Sequence, residues 1–364
     1  MKKILSVFIS IVFVSLTFFG CEKTNRDFLK DSEIIGTETT ENYVFDVFKD
    51  YVVLADYIGK DANITLPEEY KNKQVKSVGD YAVSSNDIIE SVYIPSSIVH
   101  IGQFAFSNCE NLKEIKFEKG VVEINNNAFE NDDKLTSVKL PDSLVSLGGC
   151  CFNDCDKLEK VTIPDTVKNI GGGCFYFTSF LENKKEEFVF AGDGVLIYVN
   201  SEKPTVTLPE KTKQVSAFYD NYFLCDVIFN EKLESIGEMC FANCGQLSKI
   251  ELPQIVKSVG RCAFAWCQRL SSVKLSQALN VIETEAFTDC SKIEKIIIPK
   301  RVDFIGERIF QRCENLKSIT FENPHFKVQN KLFESNNEKA VIYAKSKTNV
   351  FKYCEENNYK FKLS

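Results

Sequence analysis

The chain has 364 residues, of which 44% are hydrophobic and 26% are charged, and its formal net charge is −7. This composition supports a folded core and excludes an intrinsically disordered chain. The acidic balance also argues against a nucleic acid as partner, because binding to phosphates requires a basic face.

The first 21 residues have the features of an export signal. Lys2 and Lys3 precede an almost wholly apolar stretch, residues 4–19, which is short for a membrane span. Gly20 and Cys21 follow, and then a polar run begins. The position of Cys21 after a small residue resembles a bacterial lipoprotein signal. The resemblance implies cleavage before Cys21, lipidation of its thiol and a lipid-anchored protein of the bacterial cell envelope, at the outer membrane or cell surface. An ordinary secretory signal or an uncleaved anchor is the alternative.

A 23-residue repeat dominates the chain from residue 89 onward. Its pattern is L-x-x-I-x-I-P-x-x-V-x-x-I-G-x-x-A-F-x-x-C, and internal repeats of this length indicate a stacked, solenoid architecture. The repeats begin at Ile89, Leu112, Leu135, Leu158, Leu224, Leu247, Leu270, Ile293 and Leu316. The phenylalanine column consists of Phe106, Phe129, Phe152, Phe175, Phe241, Phe264, Phe287, Phe310 and Phe333.

Each repeat predicts three local structures. The segment L-x-x-I-x-I predicts a strand that ends at proline, and stacked units would place these strands ~4.8 Å apart in one parallel sheet. V-x-x-I-G predicts a second extended piece or turn, with the glycine at positive φ. A-F-x-x-C predicts a tight or short helical turn whose Phe is buried, worth ~1.5–3 kcal/mol. The predicted fold is mainly β and poor in helix: a right-handed solenoid of about nine to eleven leucine-rich-type repeats, each packed on its neighbours.

These repeats resemble the BspA-like leucine-rich repeat family, which is found on bacterial surface proteins. The resemblance covers residues 45–364, after a polar tether at residues 22–44. Residues 51–78 resemble the opening unit of the family, and residues 324–364 resemble its C-terminal cap. Residues 181–223 interrupt the period and contain a predicted hairpin around Gly192-Asp193-Gly194. We interpret this insert as a register spacer, with a functional projection as the alternative.

The 14 cysteines are explained mainly by the repeat. Nine occupy small-residue positions predicted to be buried: Cys109, Cys155, Cys244, Cys267, Cys290 and Cys313 at the last consensus position, and Cys151, Cys174 and Cys240 before the Phe. A buried free thiol behaves as a small hydrophobe, so we predict free thiols. Disulfides between neighbouring repeats are the alternative. The spread of the cysteines disfavours zinc, and no metal or cofactor is predicted.

No catalytic constellation is visible, and we predict that the protein is not an enzyme. The two histidines, His100 and His325, are predicted to be solvent-exposed, and the carboxylates are scattered by the repeat. Residues 171–173 form a glycine triplet that lacks the Lys-Ser/Thr of a phosphate loop. Trp266 is predicted to lie at an outer turn, packed partly on a neighbouring repeat, with a role as contact anchor as the alternative.

In a solenoid, a ligand contacts side chains that point outward in register. The outward strand positions are locally rich in lysine, and two of them are isoleucines where solvent is expected. The contact candidates are Tyr93, Lys116, Lys139, Lys160, Ile228, Lys249, Glu251, Lys274, Lys295 and Ile297. A solvated sheet face without a ligand is the alternative. The family resemblance implies a cell-surface scaffold that binds host or bacterial macromolecules, of unknown identity. A component of a surface glycan-capture system and a structural coat protein are the other possibilities.

Overall fold

The computed structural model describes residues 33–323, 325, 327–328, 331–332, 340–345 and 349–363. Cys21 and the predicted signal lie outside these residues, as does Phe333. Within the described residues, no helix has the length and apolar character that a membrane span requires.

The described residues form many short strands and two short helices. The strands are β1 (Gly36–Thr39), β2 (Tyr43–Val47), β3 (Tyr51–Tyr57), β4 (Asn63–Thr65), β5 (Glu69–Tyr70), β6 (Lys73–Val78), β7 (Ser91–Ile94), β8 (His100–Ile101), β9 (Glu114–Phe117), β10 (Glu123–Ile124), β11 (Ser137–Lys139), β12 (Ser146–Leu147), β13 (Lys160–Thr162), β14 (Asn169–Ile170), β15 (Phe188–Ala191), β16 (Val195–Val199), β17 (Thr205–Thr207), β18 (Gln214–Val215), β19 (Asp226–Ile228), β20 (Ser235–Ile236), β21 (Lys249–Glu251), β22 (Ser258–Val259), β23 (Ser272–Lys274), β24 (Val281–Ile282), β25 (Lys295–Ile298), β26 (Phe304–Ile305), β27 (Ser318–Phe321), β28 (Lys327–Val328), β29 (Val341–Ala344) and β30 (Lys360–Leu363). The helices are α1 (Ser179–Glu182) and α2 (Asn349–Glu356).

The strands stack in two parallel ladders, one for each extended piece of the repeat. In the first ladder, the predicted strands pair in register 23 residues apart, as in Ser91 with Glu114 on β7 and β9. In the second ladder, the two residues before the conserved glycine pair in the same way, as in Glu123 with Ser146. The parallel-strand solenoid is therefore confirmed. The second piece, predicted as extended or as a turn, is extended and forms a ladder of its own in addition to the predicted sheet. The solenoid has about 13 turns, since the opening and closing units add to the nine to eleven repeats that the sequence predicted.

The phenylalanine column forms a continuous interior stack within each half of the chain. The ring centroids of Phe106 and Phe129 are 5.2 Å apart, and those of Phe241 and Phe264 are also 5.2 Å apart, with nearly parallel planes in both pairs. Each ring is buried by its neighbours in the turns before and after it. No single repeat encloses its own Phe, so each turn depends on the adjacent turns for stability.

The glycine column follows the second strand of the turns, at a point where successive turns approach closely, and consists of Gly102, Gly148, Gly171, Gly237, Gly260 and Gly306, with Asn125 and Glu283 at the same position in two turns. The prediction of positive φ at this position is wrong. Among the glycines of the chain that the structure describes, positive φ occurs at Gly173, Gly192 and Gly194. A Cβ on Gly306 would lie 2.2 Å from the backbone nitrogen of Thr284, in the preceding turn. The glycine column therefore allows the turns to pack at backbone contact.

Positive φ occurs instead at two positions of each turn, two residues before and two residues after the Phe. The first set is Phe104, Asn127, Cys150, Gly173, Met239, Cys262, Glu285 and Arg308. The second set, which we call the corner positions, is Asn108, Asn131, Asp154, Phe177, Asp220, Asn243, Trp266, Asp289 and Arg312. Asparagine and aspartate tolerate this conformation better than other side chains, which explains their frequency at the corner positions.

The insert at residues 181–223 contains the predicted hairpin, and it repeats the architecture of the N-terminal opening unit. β15 and β16 pair antiparallel around the Gly192-Asp193-Gly194 turn, and β16 then pairs parallel with β18. At the N-terminus, β2 and β3 pair antiparallel, and β3 then pairs parallel with β6. Leu54 and Leu196 occupy equivalent places, since their carbonyls accept hydrogen bonds from Gly79 (2.7 Å) and Ser216 (2.9 Å) at the start of the next turn. The insert therefore begins a second solenoid block.

We call residues 43–183 the N-terminal block and residues 205–363 the C-terminal block. The buried apolar residues form two clusters that meet at β16, where Ile197 packs with the first cluster and Leu196 with the second. Between residues 160 and 207, all of which the structure describes, the second ladder is interrupted, because β14 does not pair with β16. The first ladder also has a gap there, between β13 and β17, but it has further gaps inside each block, as between β19 and β21. The hairpin thus separates the apolar core of the N-terminal block from that of the C-terminal block.

A shortened turn brings the two blocks into contact next to the hairpin. In this turn, the spacing along the chain from Val215 to Phe218 is two residues shorter than the spacing from Ile236 to Phe241, which are the equivalent residues of the following turn. The turns on either side therefore meet directly, and the Gly172 amide donates a 2.7 Å hydrogen bond to the Glu238 carbonyl. The Tyr176 hydroxyl also donates to the Ala217 carbonyl, at 3.0 Å.

Candidate functional site

The strand face consists of the outward side chains of the first ladder. Along each strand the side chains alternate, so that Ile250 is buried while Lys249 and Glu251 on either side of it are exposed. The predicted contact candidates lie on this face: Tyr93, Lys116, Lys139, Lys160, Ile228, Lys249, Glu251, Lys274, Lys295 and Ile297. All of them are exposed except Tyr93, which is half-buried. Whether they contact a ligand stays a prediction.

Ion pairs offset part of the positive charge of the strand face. Lys249 lies 3.1 Å from the Asp226 carboxylate, and Lys274 pairs with Glu251. Lys116 lies 3.0 Å from Glu114 on its own strand. Such exposed pairs contribute only about 0–1 kcal/mol to stability, but they reduce the charge available to a partner. Among the described residues, no ion pair involves Lys139, Lys160 or Lys295.

The apolar part of the strand face lies in the C-terminal block. Ile228 is 52% exposed and Ile297 is 55% exposed, whereas the other outward candidates of this block are charged. β19 and β21 do not pair, and a surface cavity of about 240 Å³ opens between them. Its lining residues are Asp226, Val227, Ile228, Phe229, Lys249 and Glu251. The lining combines three apolar side chains with three charged ones.

Tyr93 is held in place by its surroundings. Its hydroxyl donates a hydrogen bond to the Glu118 carboxylate, which also accepts the backbone N–H of Ser96 at 3.0 Å. This hydrogen bond to Glu118 raises the pKa of Tyr93. The ring therefore has a defined orientation on the strand face.

His100 is buried, and the prediction that it lies in solvent is wrong. Its Nδ1 is 3.0 Å from the Ser77 hydroxyl of the preceding turn, and its Nε2 is 3.7 Å from the Glu123 carboxylate of the following turn. Burial lowers the pKa of His100 to about 4, so the imidazole is neutral at pH 7. His325 is exposed, as predicted.

The cysteines of the described residues are free thiols, as predicted, and only Cys225 among them is exposed. The thiols of the last consensus position donate hydrogen bonds to a backbone carbonyl of the preceding turn, as Cys155 does to Phe129 at 3.0 Å. Burial raises the pKa of Cys267 and of Cys313 to about 12. These thiols therefore serve packing and hydrogen bonding. No group of His, Cys, Asp and Glu in the part of the chain that the structure describes is arranged to hold a metal ion.

The repeat sequence itself matches a known family. The profile of the BspA type leucine rich repeat region matches in six copies, at residues 72–187 and 211–340, which is more than half of the chain. The chain belongs to the BspA type leucine-rich repeat family. No curated protein matches it.

Several solved structures are similar to this BspA-type chain. A leucine-rich repeat protein from Bacteroides ovatus is 23% identical, with 93% of this chain and 100% of that chain covered and a TM-score of 0.39. The leucine-rich repeat protein of T. pallidum is 21% identical, with 77% and 91% covered and a TM-score of 0.38. A leucine rich cell surface protein from Faecalibacterium prausnitzii is 20% identical, with 80% and 89% covered and a TM-score of 0.33.

Glu130 carries a half-buried carboxyl group, through which the stability of the BspA-type solenoid depends on pH. The Asn153 amide donates a 3.2 Å hydrogen bond to it, but burial dominates and raises the pKa of Glu130 to about 7. A carboxyl whose pKa is raised on folding favours the folded state below its unfolded pKa, and this contribution is lost as the pH rises through the folded pKa. Burial likewise raises the pKa of Asp132, so its effect has the same sign.

We therefore expect the free energy of unfolding to fall by about 3 kcal/mol between pH 4.5 and pH 7.5 through Glu130 alone. Glu130→Gln removes the titrating group and is expected to flatten this pH dependence. Urea denaturation at several pH values measures the effect, with Glu118→Gln as the control because the pKa of Glu118 is lowered by its hydrogen bond from Tyr93. An unchanged slope in the Glu130→Gln variant would contradict the prediction.

Proposed function

We propose that this protein is a binding scaffold of the bacterial cell surface that attaches to a protein or other extracellular macromolecule through its strand face. Three features support the proposal: membership in the BspA type family, the regular stack of turns, and the outward side chains of the first ladder. The observation that carries it is the exposure of Ile228 and Ile297 on a face whose other solvent-exposed side chains are mainly polar. Exposed apolar residues rimmed by charge are typical of contact sites between proteins.

The chemistry of the described residues favours binding over catalysis. His100 is buried, and its imidazole is neutral at pH 7. Carboxylates of the strand face form ion pairs with lysines, as Glu251 does with Lys274. The thiols of the last consensus position are buried with raised pKa values, which leaves little thiolate as a nucleophile.

The test displays the domain after Cys21 on beads and measures binding of purified extracellular-matrix proteins. Replacing Ile228 and Ile297 together by aspartate places two charges on the strand face and is expected to abolish specific binding. Ile255→Asp is the matched control, because Ile255 is 39% exposed but lies outside the strands of the first ladder. Loss of binding in the control, with full binding in the double variant, would place the site elsewhere.

We also propose that the protein is lipid-anchored through Cys21, on the basis of the signal described above. Cys21→Ala is expected to move the protein from the membrane fraction to the soluble fraction of cells. Retention of the variant in the membrane fraction would contradict the anchor while leaving the strand-face proposal untouched.

A further inference from the structure

The C-terminal block carries a second regular row of side chains, at the corner positions and outside the strands of the first ladder. We call it the corner row, and it consists of Asp220, Tyr222, Asn243, Trp266, Asp289 and Arg312. Tyr222 is not itself a corner position, but its side chain joins the row beside Asp220. The exposed ring of Phe223 follows Tyr222 directly in the chain.

Hydrogen bonds between successive turns hold the side chains of the corner row in place. The Asn243 amide donates to the Asp220 carboxylate at 2.5 Å and to the Tyr222 hydroxyl at 2.8 Å. The Tyr222 hydroxyl in turn donates to the Asp220 carboxylate at 2.6 Å. These three groups form a closed triangle, so the Tyr222 ring, 41% exposed, is presented in one orientation.

The other half of the corner row is ordered in the same way around Asp289. Its carboxylate is hydrogen-bonded by the Trp266 side chain and lies 3.5 Å from an Arg312 guanidinium nitrogen. The half-buried indole is thus fixed by its ring N–H and by its packing. Burial raises the pKa of Asp289, and the Arg312 charge acts in the opposite direction.

The backbone makes the corner row rigid and evenly spaced. The amides of Asp220, Asn243 and Trp266 each donate to a carbonyl of the following turn, at 2.9, 2.8 and 2.8 Å. The stacked rings inside the same turns give the repeat distance: 5.2 Å from Phe241 to Phe264 and 5.3 Å from Phe264 to Phe287. The row therefore presents a polar or aromatic side chain from each turn at a nearly constant interval, with both Asp220 and Tyr222 contributed by the first turn.

We propose that the corner row binds an extended neutral polysaccharide. A pyranose ring has an apolar C–H face that stacks on an aromatic ring, and hydroxyls that pair with carboxylate, amide and guanidinium groups. In a β-linked extended chain, one sugar residue advances by nearly the distance of one solenoid turn. Tyr222 and Trp266 supply the rings, and Asp220, Asn243 and Asp289 supply the polar partners.

The composition of the row separates this ligand from other classes. The row contains no lysine, and its one arginine is paired with a carboxylate, so it does not match a polyanion. Its aromatic rings alternate with amide and carboxylate groups and do not form the continuous apolar surface of a protein contact. Ligands with alternating apolar faces and hydroxyls match this alternation.

The experiment is affinity electrophoresis of the full chain through gels that contain hydroxyethyl cellulose, soluble xylan or galactomannan, with dextran sulfate as the anionic arm. We expect retardation by at least one neutral polymer and none by dextran sulfate. Trp266 is the only tryptophan of the chain, so its emission reports binding in solution. Tyr222→Ala and Asn243→Ala are each expected to weaken retardation about tenfold, and circular dichroism verifies that the variants are folded.

Asn131→Ala is the matched control, because Asn131 occupies a corner position in the N-terminal block. Retardation by none of the neutral polymers, retardation by dextran sulfate alone, or equal losses in the Asn131→Ala and Asn243→Ala variants would each overturn the proposal. Ile228→Asp, on the strand face, is expected to leave retardation unchanged. The outcome is therefore independent of the function proposed for that face.

Discussion

Phe264→Ala is expected to lower the free energy of unfolding of the C-terminal block by about 3–5 kcal/mol, because it opens a cavity inside the ring stack. Phe264 is fully buried, and its ring lies between Phe241 and Phe287, 5.2 and 5.3 Å away. The two apolar cores are separate clusters, and neither ladder crosses the hairpin. We therefore expect the transition of the N-terminal block to stay unchanged.

Differential scanning calorimetry of the full chain is the measurement, with two transitions expected. Phe129→Ala is the mirror experiment, since Phe129 stacks in the N-terminal block, and it is expected to shift only the other transition. Phe223→Ala is the control, because Phe223 is 54% exposed and its loss is expected to cost about 0.5 kcal/mol or less. A single transition, or an equal shift of both transitions in either core variant, would contradict independent unfolding of the two blocks.

Brief alkylation with iodoacetamide is expected to modify Cys225 at least about a hundredfold faster than Cys267 or Cys313. The thiolate is the reacting species, and burial both shields the Cys267 and Cys313 thiols and raises their pKa values to about 12. Cys225, by contrast, is exposed. Mass spectrometry of peptides taken at successive times gives the individual rates.

Cys225→Ser provides the control for this labelling, because it removes the fast site without touching a buried turn. The buried thiols are expected to react only when the protein is unfolded in urea. Rapid modification of Cys267 in the folded protein, or recovery of a disulfide-linked pair such as Cys244 with Cys267, would contradict the role of these thiols in packing.

The interior of the solenoid was predictable because burial follows directly from the repeat. The phenylalanine column and the small cysteine positions recur every 23 residues, and each described member lies where its period places it. The sequence showed the glycine column but not why glycine recurs at that position. A glycine in a sequence indicates either positive φ or close backbone approach. The structure shows that close approach is the reason here, because a Cβ added at Gly306 would lie only 2.2 Å from the backbone nitrogen of Thr284.

The outer surface was less predictable, because it depends on which side chains meet across turns. The lysines of the strand face were found, but their ion pairs were missed, although opposite charges 23 residues apart, as in Asp226 and Lys249, were a visible signal. His100 was placed in solvent because its position is variable, whereas Ser77 of the preceding turn gives it a buried partner.

The junction between the blocks had only a partial signal in the sequence. The break in period and the hairpin were visible, and so was the short spacing between Val215 and Phe218. The resulting hydrogen bond from the Gly172 amide to the Glu238 carbonyl joins turns that do not follow one another along the chain. A periodic sequence pattern relates only successive turns, so it does not predict this contact.

Hydroxyl-radical footprinting of the protein, free and bound to a macromolecule that it captures in the bead assay, tests the role of the strand face most directly. Side-chain oxidation rates at Ile228 and Ile297 are expected to fall on binding, because the partner excludes water from these exposed isoleucines. The rate at Ile255, which is exposed but lies outside the first ladder, is expected to stay the same. Protection of Ile255 with unchanged rates at Ile228 and Ile297 would contradict the strand face as the binding surface.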